Sequence, residues 1–272
     1  MFYTIDMEFL NLGIIFVLGT IIGSFLNVVI YRLNTGVSIT TGRSRCFSCN
    51  KTLVWYELIP LVSYFVQKGR CRVCLSKVSI QYPLVELATG ILFVLCAYST
   101  SFALFALTIE SVLMFKVYVI LVSLLVVLFV YDLKHKILPS SILYPFVSIS
   151  FVYALILYAQ GIRSGLDILA GVLLALPIFF LWTISKGKWI GFADGVLFLG
   201  VGFLLGFALG VNAFLFSFWG GALIAIILTY VLPKKFGFGS EIPFGPFIIL
   251  ATLFFLFVQR DILGVSLLYD LF

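Results

Sequence analysis

Val117-Tyr-Val-Ile-Leu-Val-Ser-Leu-Leu-Val-Val-Leu-Phe-Val-Tyr131 runs without a charge, and Asp132 ends it. The run is continuously apolar rather than alternating, so it reads as a helix and not as a barrel strand. It belongs to a span expected over 112–131. Similar apolar runs lie at 9–31, 84–108, 141–160, 167–185, 195–210, 212–232 and 244–259. Each has about the 20 residues that a ~30 Å hydrocarbon core requires. The run at 195–210 is short and holds Gly195, Gly200, Gly202, Gly206 and Gly210, which let neighbouring backbones approach closely.

Composition agrees. Hydrophobic residues make up 63% of the 272, and charged residues only 10%. A soluble domain carries about 25% charge. The mean hydropathy of +1.23 excludes a soluble globular enzyme, a disordered tail and a secreted disulfide scaffold. The expected fold is an all-α polytopic membrane protein of about eight transmembrane helices with a small zinc-ribbon-like loop domain. Its expected organisation is a first helix at 1–31, a polar zinc-binding loop at 32–83 and a membrane core at 84–272. The first helix is preceded by Asp6 and Glu8 and by no Lys or Arg, unlike a cleaved signal peptide.

Orientation follows from the basic residues. With the N-terminus outside, the inner segments 32–83, 132–140, 186–194 and 233–243 hold 14 of the 17 Lys and Arg. The positive-inside rule favours that topology. The net charge of +6 then reflects topology and contact with anionic membrane lipid rather than nucleic-acid binding.

Four of the five cysteines form two pairs in the polar loop, Cys46-Phe-Ser-Cys49 and Cys71-Arg-Val-Cys74. Two such knuckles supply four thiolates, which suits a closed, structural zinc site. The loop has too few apolar residues for a core of its own, and metal binding could supply the missing free energy. Two disulfides are the alternative, disfavoured by the reducing side on which the loop is expected. Cys96 lies inside the second span and reads as a small hydrophobe.

Acidic groups beside a bilayer are costly and point to function. Asp132 ends the third span in Asp132-Leu-Lys-His-Lys-Ile-Leu-Pro139, and Asp194 opens the sixth in Gly191-Phe-Ala-Asp194. Both are expected at the inner end of a helix. Two carboxylates close together share a proton. One can then activate water while the other donates to a scissile carbonyl. The blander reading has each aspartate capping a helix or pairing with Lys134 or Lys188. Glu86 and Glu241 also face the inside, as candidate contacts for a basic segment or as dipole partners. His135 stands alone, so a catalytic triad or a histidine-ligated catalytic zinc finds little support.

Taken together, these motifs resemble the type IV prepilin leader peptidases, membrane aspartic proteases of the Gly-x-Gly-Asp class. Gly23-Ser-Phe-Leu-Asn-Val-Val-Ile-Tyr-Arg32 resembles the family's opening helix. The cysteine pairs, with Trp55-Tyr-Glu-Leu-Ile-Pro60 between and Gln81-Tyr-Pro-Leu-Val-Glu86 after, resemble its zinc-bearing loop. The segments at Asp132 and Asp194 resemble its catalytic segments, and Glu241-Ile-Pro-Phe-Gly-Pro-Phe247 its last span. The resemblance implies Asp132 and Asp194 as the catalytic pair. It implies a multi-pass protein of the bacterial inner membrane whose substrate is a prepilin or pseudopilin with a short basic leader, cut after a Gly. It further implies methylation of the new N-terminus with S-adenosylmethionine, although no glycine-rich nucleotide loop is recognisable in 32–83. Glu86 and Glu241 become candidate substrate contacts. Ala193 stands where the family has a second Gly, and a positive φ there would strain it. Gly195-Val196 replaces a frequent Val-Lys pair, and Ser140 a frequent acid. The competing readings are a proton-coupled transporter relaying through the two aspartates and a non-catalytic assembly protein built on the zinc ribbon.

Overall fold

The structure is a computed structural model describing residues 2–104, 108–231 and 242–259, with side chains from Phe9 onward. Among the described residues it is helical, with no strand beyond two isolated bridges. The helices are α1 (Phe2–Arg32), α2 (Val62–Val66), α3 (Gln81–Ser99), α4 (Ile109–His135), α5 (Ser140–Ala159), α6 (Gly165–Ser185), α7 (Phe192–Leu205), α8 (Phe207–Val231) and α9 (Gly245–Val258). All but α2 fall on the eight expected runs. Six are long and apolar enough to cross a membrane, while α7 and α9 are apolar but shorter. At 1.5 Å per residue, their 14 residues reach only about 21 Å.

The chain divides into two compact units, Met1–Val127 and Leu128–Phe272. The division falls inside α4, whereas the sequence grouped 84–272 together.

In the first unit α1 and α3 pack antiparallel through small residues. A Cβ on Gly19 would stand 2.8 Å from Gly90 Cα, and one on Gly23 would stand 2.8 Å from Glu86 Cα. Four-residue spacing of glycines places both on one helix face, the arrangement that lets two membrane helices touch backbone to backbone. Buried asparagines clip the two ends. Asn27 Nδ2 donates to Tyr82 O (3.2 Å), and its Oδ1 accepts from Gln81 Nε2 (3.2 Å). Asn11 Oδ1 accepts from Leu104 N–H (2.9 Å), beyond the far end of α3. That clip follows an early stop: α3 ends at Ser99, not at 108, with Ser101 at positive φ and Phe102 stacked on Phe115.

In the second unit α7 is the central element. Every residue from Asp194 to Leu205 except Leu199 is buried, as expected of a helix apolar all round. Its glycines admit its neighbours: Gly202 lies against Gly171 of α6, and Gly200 against Phe146 of α5. The expected span 195–210 is displaced to 192–205, because the chain breaks at Gly206 (φ +78°). Charges satisfy the backbone at the break. The Arg163 guanidinium donates to Phe203 O (2.6 Å) and Leu204 O (2.5 Å), and Asp167 Oδ1 accepts from Phe207 N–H (2.9 Å). The last carbonyls of one helix and the first N–H of the next thus find partners where water is scarce.

Candidate active site and metal centre

The two cysteine knuckles are built alike, 25 positions apart. In the first, Cys46 N–H donates to Lys51 O and Asn50 N–H to Cys46 O, each at 2.9 Å. In the second, Cys71 N–H donates to Ser76 O (2.9 Å) and Leu75 N–H to Cys71 O (3.0 Å). Isolated bridges pair Arg45 with Thr52 and Arg70 with Lys77. Asn50 (φ 56°) and Leu75 (φ 57°) make the matching left-handed bends. The turns aim all four sulfurs inward, so that they lie within 4.8 Å of one another. Cys46 and Cys74 sulfurs are 3.7 Å apart, and those of Cys49 and Cys71 are 4.0 Å apart. Zn–S bonds of about 2.3 Å in a tetrahedron separate sulfurs by about 3.8 Å. The cluster could therefore hold a tetrahedral metal after a small contraction.

Backbone N–H groups of Cys49 and Ser48 pull the Cys46 thiol down to about 6, and Ser76 pulls Cys74 down. For Cys49, the Lys51 N–H pulls downward, but desolvation and the neighbouring thiols together push it up to about 11. Thiolate character is what a metal requires. The loop is braced by Glu57, whose carboxylate accepts from Lys51 Nζ (2.8 and 3.0 Å) and from Val54 N–H (3.1 Å). The Lys51 hydrogen bond, outweighing burial, holds the Glu57 carboxyl below its ordinary value.

Asp132 and Asp194 both belong to the second unit, and both are buried, at 4% and 9% exposure. Asp132 sits in the last turn of α4, the wrong end of its own helix for a negative charge. The N-terminus of α9 compensates: the Gly245 N–H acts on its carboxylate. A Cβ on Gly245 would stand 2.5 Å from Asp132 Oδ2, so only glycine admits that approach. Asp194 is in the first turn of α7, and its Oδ2 accepts from Gly191 N–H (3.1 Å). Both carboxylates thus rest on helix N-termini. The two acids share one unit, and the Asp132 charge is felt at Asp194. Among the described residues neither aspartate forms an ion pair. Gly191 has a steric reason, since a Cβ there would stand 3.2 Å from Asp194 Oδ2. Ala193 is already helical and has no positive φ, so the condition under which it would be strained is not met.

Glu86 belongs to the first unit. It is buried, and its Oε2 accepts from Leu61 N–H at 2.8 Å. Its carboxylate serves a neighbouring turn, an internal use that its place in the sequence did not reveal. Glu241 lies outside the described residues. His135 packs tilted against Tyr131, with ring centroids 4.4 Å apart and planes at 37°. Sequence reasoning missed Gly245 as a neighbour of Asp132, although it stood inside the quoted Ile-Pro-Phe-Gly-Pro stretch.

The comparisons with known proteins divide as the molecule does. Residues 17–100 match the family model described as the bacterial peptidase A24 N-terminal domain, which takes in the cysteine loop. Residues 119–226 match the type IV leader peptidase family, a span that includes both aspartates. A prepilin leader peptidase/N-methyltransferase of Bacillus subtilis (strain 168) is 34% identical over 86% of this chain and 89% of its own length.

The chain belongs to the type IV leader peptidase family. Another relative of the same name, from Myxococcus xanthus (strain DK1622), is 36% identical over 79% of this chain, which covers 62% of that longer protein. The Vibrio cholerae relative is 29% identical over 93% of this chain and 99% of its own length. No solved structure matches. Within the leader peptidase family match, Asp132 and Asp194 fall inside the second matched region, while Gly245 lies beyond it.

Proposed function

We propose that this enzyme is an aspartic endopeptidase of the bacterial inner membrane. It removes the short basic leader of a prepilin or pseudopilin, cutting after a Gly just before an apolar helix. In support, Asp132 and Asp194 are two buried acids of one unit, on separate helices, each beside a backbone N–H at a helix start. One carboxylate takes a proton from water, and the hydroxide formed attacks the scissile carbonyl carbon. The other, carrying the shared proton, donates to the carbonyl oxygen. When the tetrahedral intermediate collapses, the C–N bond breaks and the leaving nitrogen receives a proton. Burial keeps bulk water from competing with these transfers.

In this reading the inner membrane face carries the zinc loop and both aspartates, with the N-terminus outside. Cys46, Cys49, Cys71 and Cys74 hold one zinc, which supplies a structural cross-link. The names of the relatives support a second activity, S-adenosylmethionine-dependent methylation of the newly exposed N-terminus. Mass spectrometry of processed pilin under saturating methyl donor tests it, and an unmethylated product would refute it. Glu241 remains a candidate contact for the basic leader, and Glu86 acts by positioning the loop. The decisive experiment for cleavage is a membrane assay with Asp132→Asn and Asp194→Asn separately. Each is expected to abolish processing, and normal processing by either would overturn the dyad.

A further inference from the structure

Among the described residues, the polar loop carries an exposed apolar surface. Trp55 is 76% exposed, Val62 55%, Phe65 70% and Val66 64%, with Leu58 and Ile59 exposed beside them. Val62, Phe65 and Val66 fall at i, i+3 and i+4, so they share one face of α2. A patch of this kind on a loop in water is a liability unless something seats against it.

Three observations identify the partner as the bilayer itself. The first is depth. Glu86 lies five residues inside α3, about 7.5 Å from its start. The 19 residues of α3 reach about 28 Å, so a membrane crossing needs nearly all of them. Yet the Leu61 N–H donates to Glu86 Oε2 at 2.8 Å. Since the Glu86 side chain leans toward the start of α3, the bond holds Leu61 at the level of the first turns of that helix. Interfacial segments lie at about that level, sinking ~5–10 Å into the headgroup–acyl boundary.

The second observation is backbone strain at that point. Leu61 has φ 62° and ψ −56°, and Val62 N–H donates to Pro60 O at 2.6 Å. This is a γ-turn of the rare, strained hand. Strain of that kind persists only where surroundings enforce it. Here the enforcing contact is a buried carboxylate of a membrane helix, and the turn sets Ile59 and Val62 on either side of it.

The third is charge. Residues 33–80 hold Arg43, Arg45, Lys51, Lys68, Arg70, Arg72 and Lys77 against one acid, Glu57. That acid is buried and already paired with Lys51. Outside the cysteine cluster the free side-chain charge of the loop is positive, matching anionic headgroups. Trp55, Tyr56 and Tyr64 are residues that prefer the headgroup level.

We propose that Trp55–Val66 is an interfacial wedge. Trp55 and the Val62, Phe65 and Val66 face of α2 lie at the headgroup–acyl boundary, with the basic residues on anionic headgroups and the wedge pinned by the Glu86–Leu61 hydrogen bond. The proposal rests on α1 and α3 spanning the membrane, and it is independent of the peptidase reading.

The test uses the full chain in nanodiscs containing phosphatidylglycerol and lipids brominated at defined acyl depths. The wild type is compared with Trp55→Phe, so that the Trp55 contribution is read by difference and the other three tryptophans stay in place. The expected result is that Trp55 is quenched at least twofold more by bromines near the headgroup than by bromines near the chain end, and is shielded from aqueous iodide. Quenching by iodide with no effect of brominated lipid would overturn the proposal. So would shielding that appears only when prepilin is added, which would make the patch a protein-docking surface. Replacing the anionic lipid by phosphatidylcholine should at least halve the lipid quenching, and no change would remove the headgroup contribution. Glu86→Ala should also at least halve it while the metal content stays constant. Unchanged quenching in that variant would overturn the pinning.

Discussion

Replacing Gly245 by alanine tests the proposed site at its tightest point. The added Cβ would stand 2.5 Å from Asp132 Oδ2, where ordinary contact begins at 3.4 Å. The carboxylate or the start of α9 must therefore give by about 0.9 Å. Escape is restricted, since Asp132 Cγ and Leu138 Cδ2 would each lie 3.3 Å from the new methyl. Overpacking of this kind costs about 1–3 kcal/mol. A misplacement of about 1 Å at a reacting group can cost on the order of 100-fold in rate. In a cleavage assay with purified enzyme and prepilin, Gly245→Ala is expected to lower kcat about 100-fold while KM stays within about twofold. Gly220→Ala in α8 serves as the control, since a Cβ there meets nothing within 4 Å. The reasoning fails if Gly245→Ala cleaves within about threefold of wild type, or if the loss falls wholly on KM.

Three further outcomes are expected. Purified protein should carry one zinc per chain, lost in the Cys46→Ser/Cys71→Ser variant; metal analysis that finds none in wild type would refute the assignment. The Lys51–Glu57 pair should stabilise the loop only where Glu57 is ionised. Its carboxyl is depressed, first by the Lys51 hydrogen bond, so the contribution is complete above its ordinary value of 4.5 and fades as pH falls through the lower folded value. Lys51→Met should therefore speed proteolysis of the loop at pH 7, and by progressively less as pH is lowered below 4.5. An effect that does not shrink with falling pH would exclude an ionic origin. Arg163→Met should leave the Phe203 and Leu204 carbonyls without their charged donor and destabilise the second unit by about 3 kcal/mol. A thermal melt in detergent that matches wild type would contradict that account.

Much of the architecture was legible because the bilayer imposes one rule on every span. Eight apolar runs became eight helices, and the cysteine spacing became a cluster of four converging sulfurs. The ends were harder to read, since they depend on partners far away in sequence. Ser99 ends α3 where Asn11, on another helix, takes the following backbone. Gly206 ends α7 where Arg163 and Asp167 supply the missing hydrogen bonds. The γ-turn at Leu61 and the five-residue α2 were too short to leave a periodicity. Asp132 and Asp194 were visible as costly acids at helix ends, but not the reason each is tolerated. For Asp194 that reason is local, within Gly191–Asp194. For Asp132 it is Gly245, which no spacing rule connects to it. Whether Ala193 had to adopt a positive φ was not legible in the motif; it lies inside the first turn of α7, where no such conformation is needed.

The debt of Asp132 to Gly245 also orders events during synthesis. A ribosome that has delivered both acids has not yet delivered α9. Until α9 threads into place, the first acid lacks the amide that receives it, and a half-made protease in the translocon is left without a finished blade.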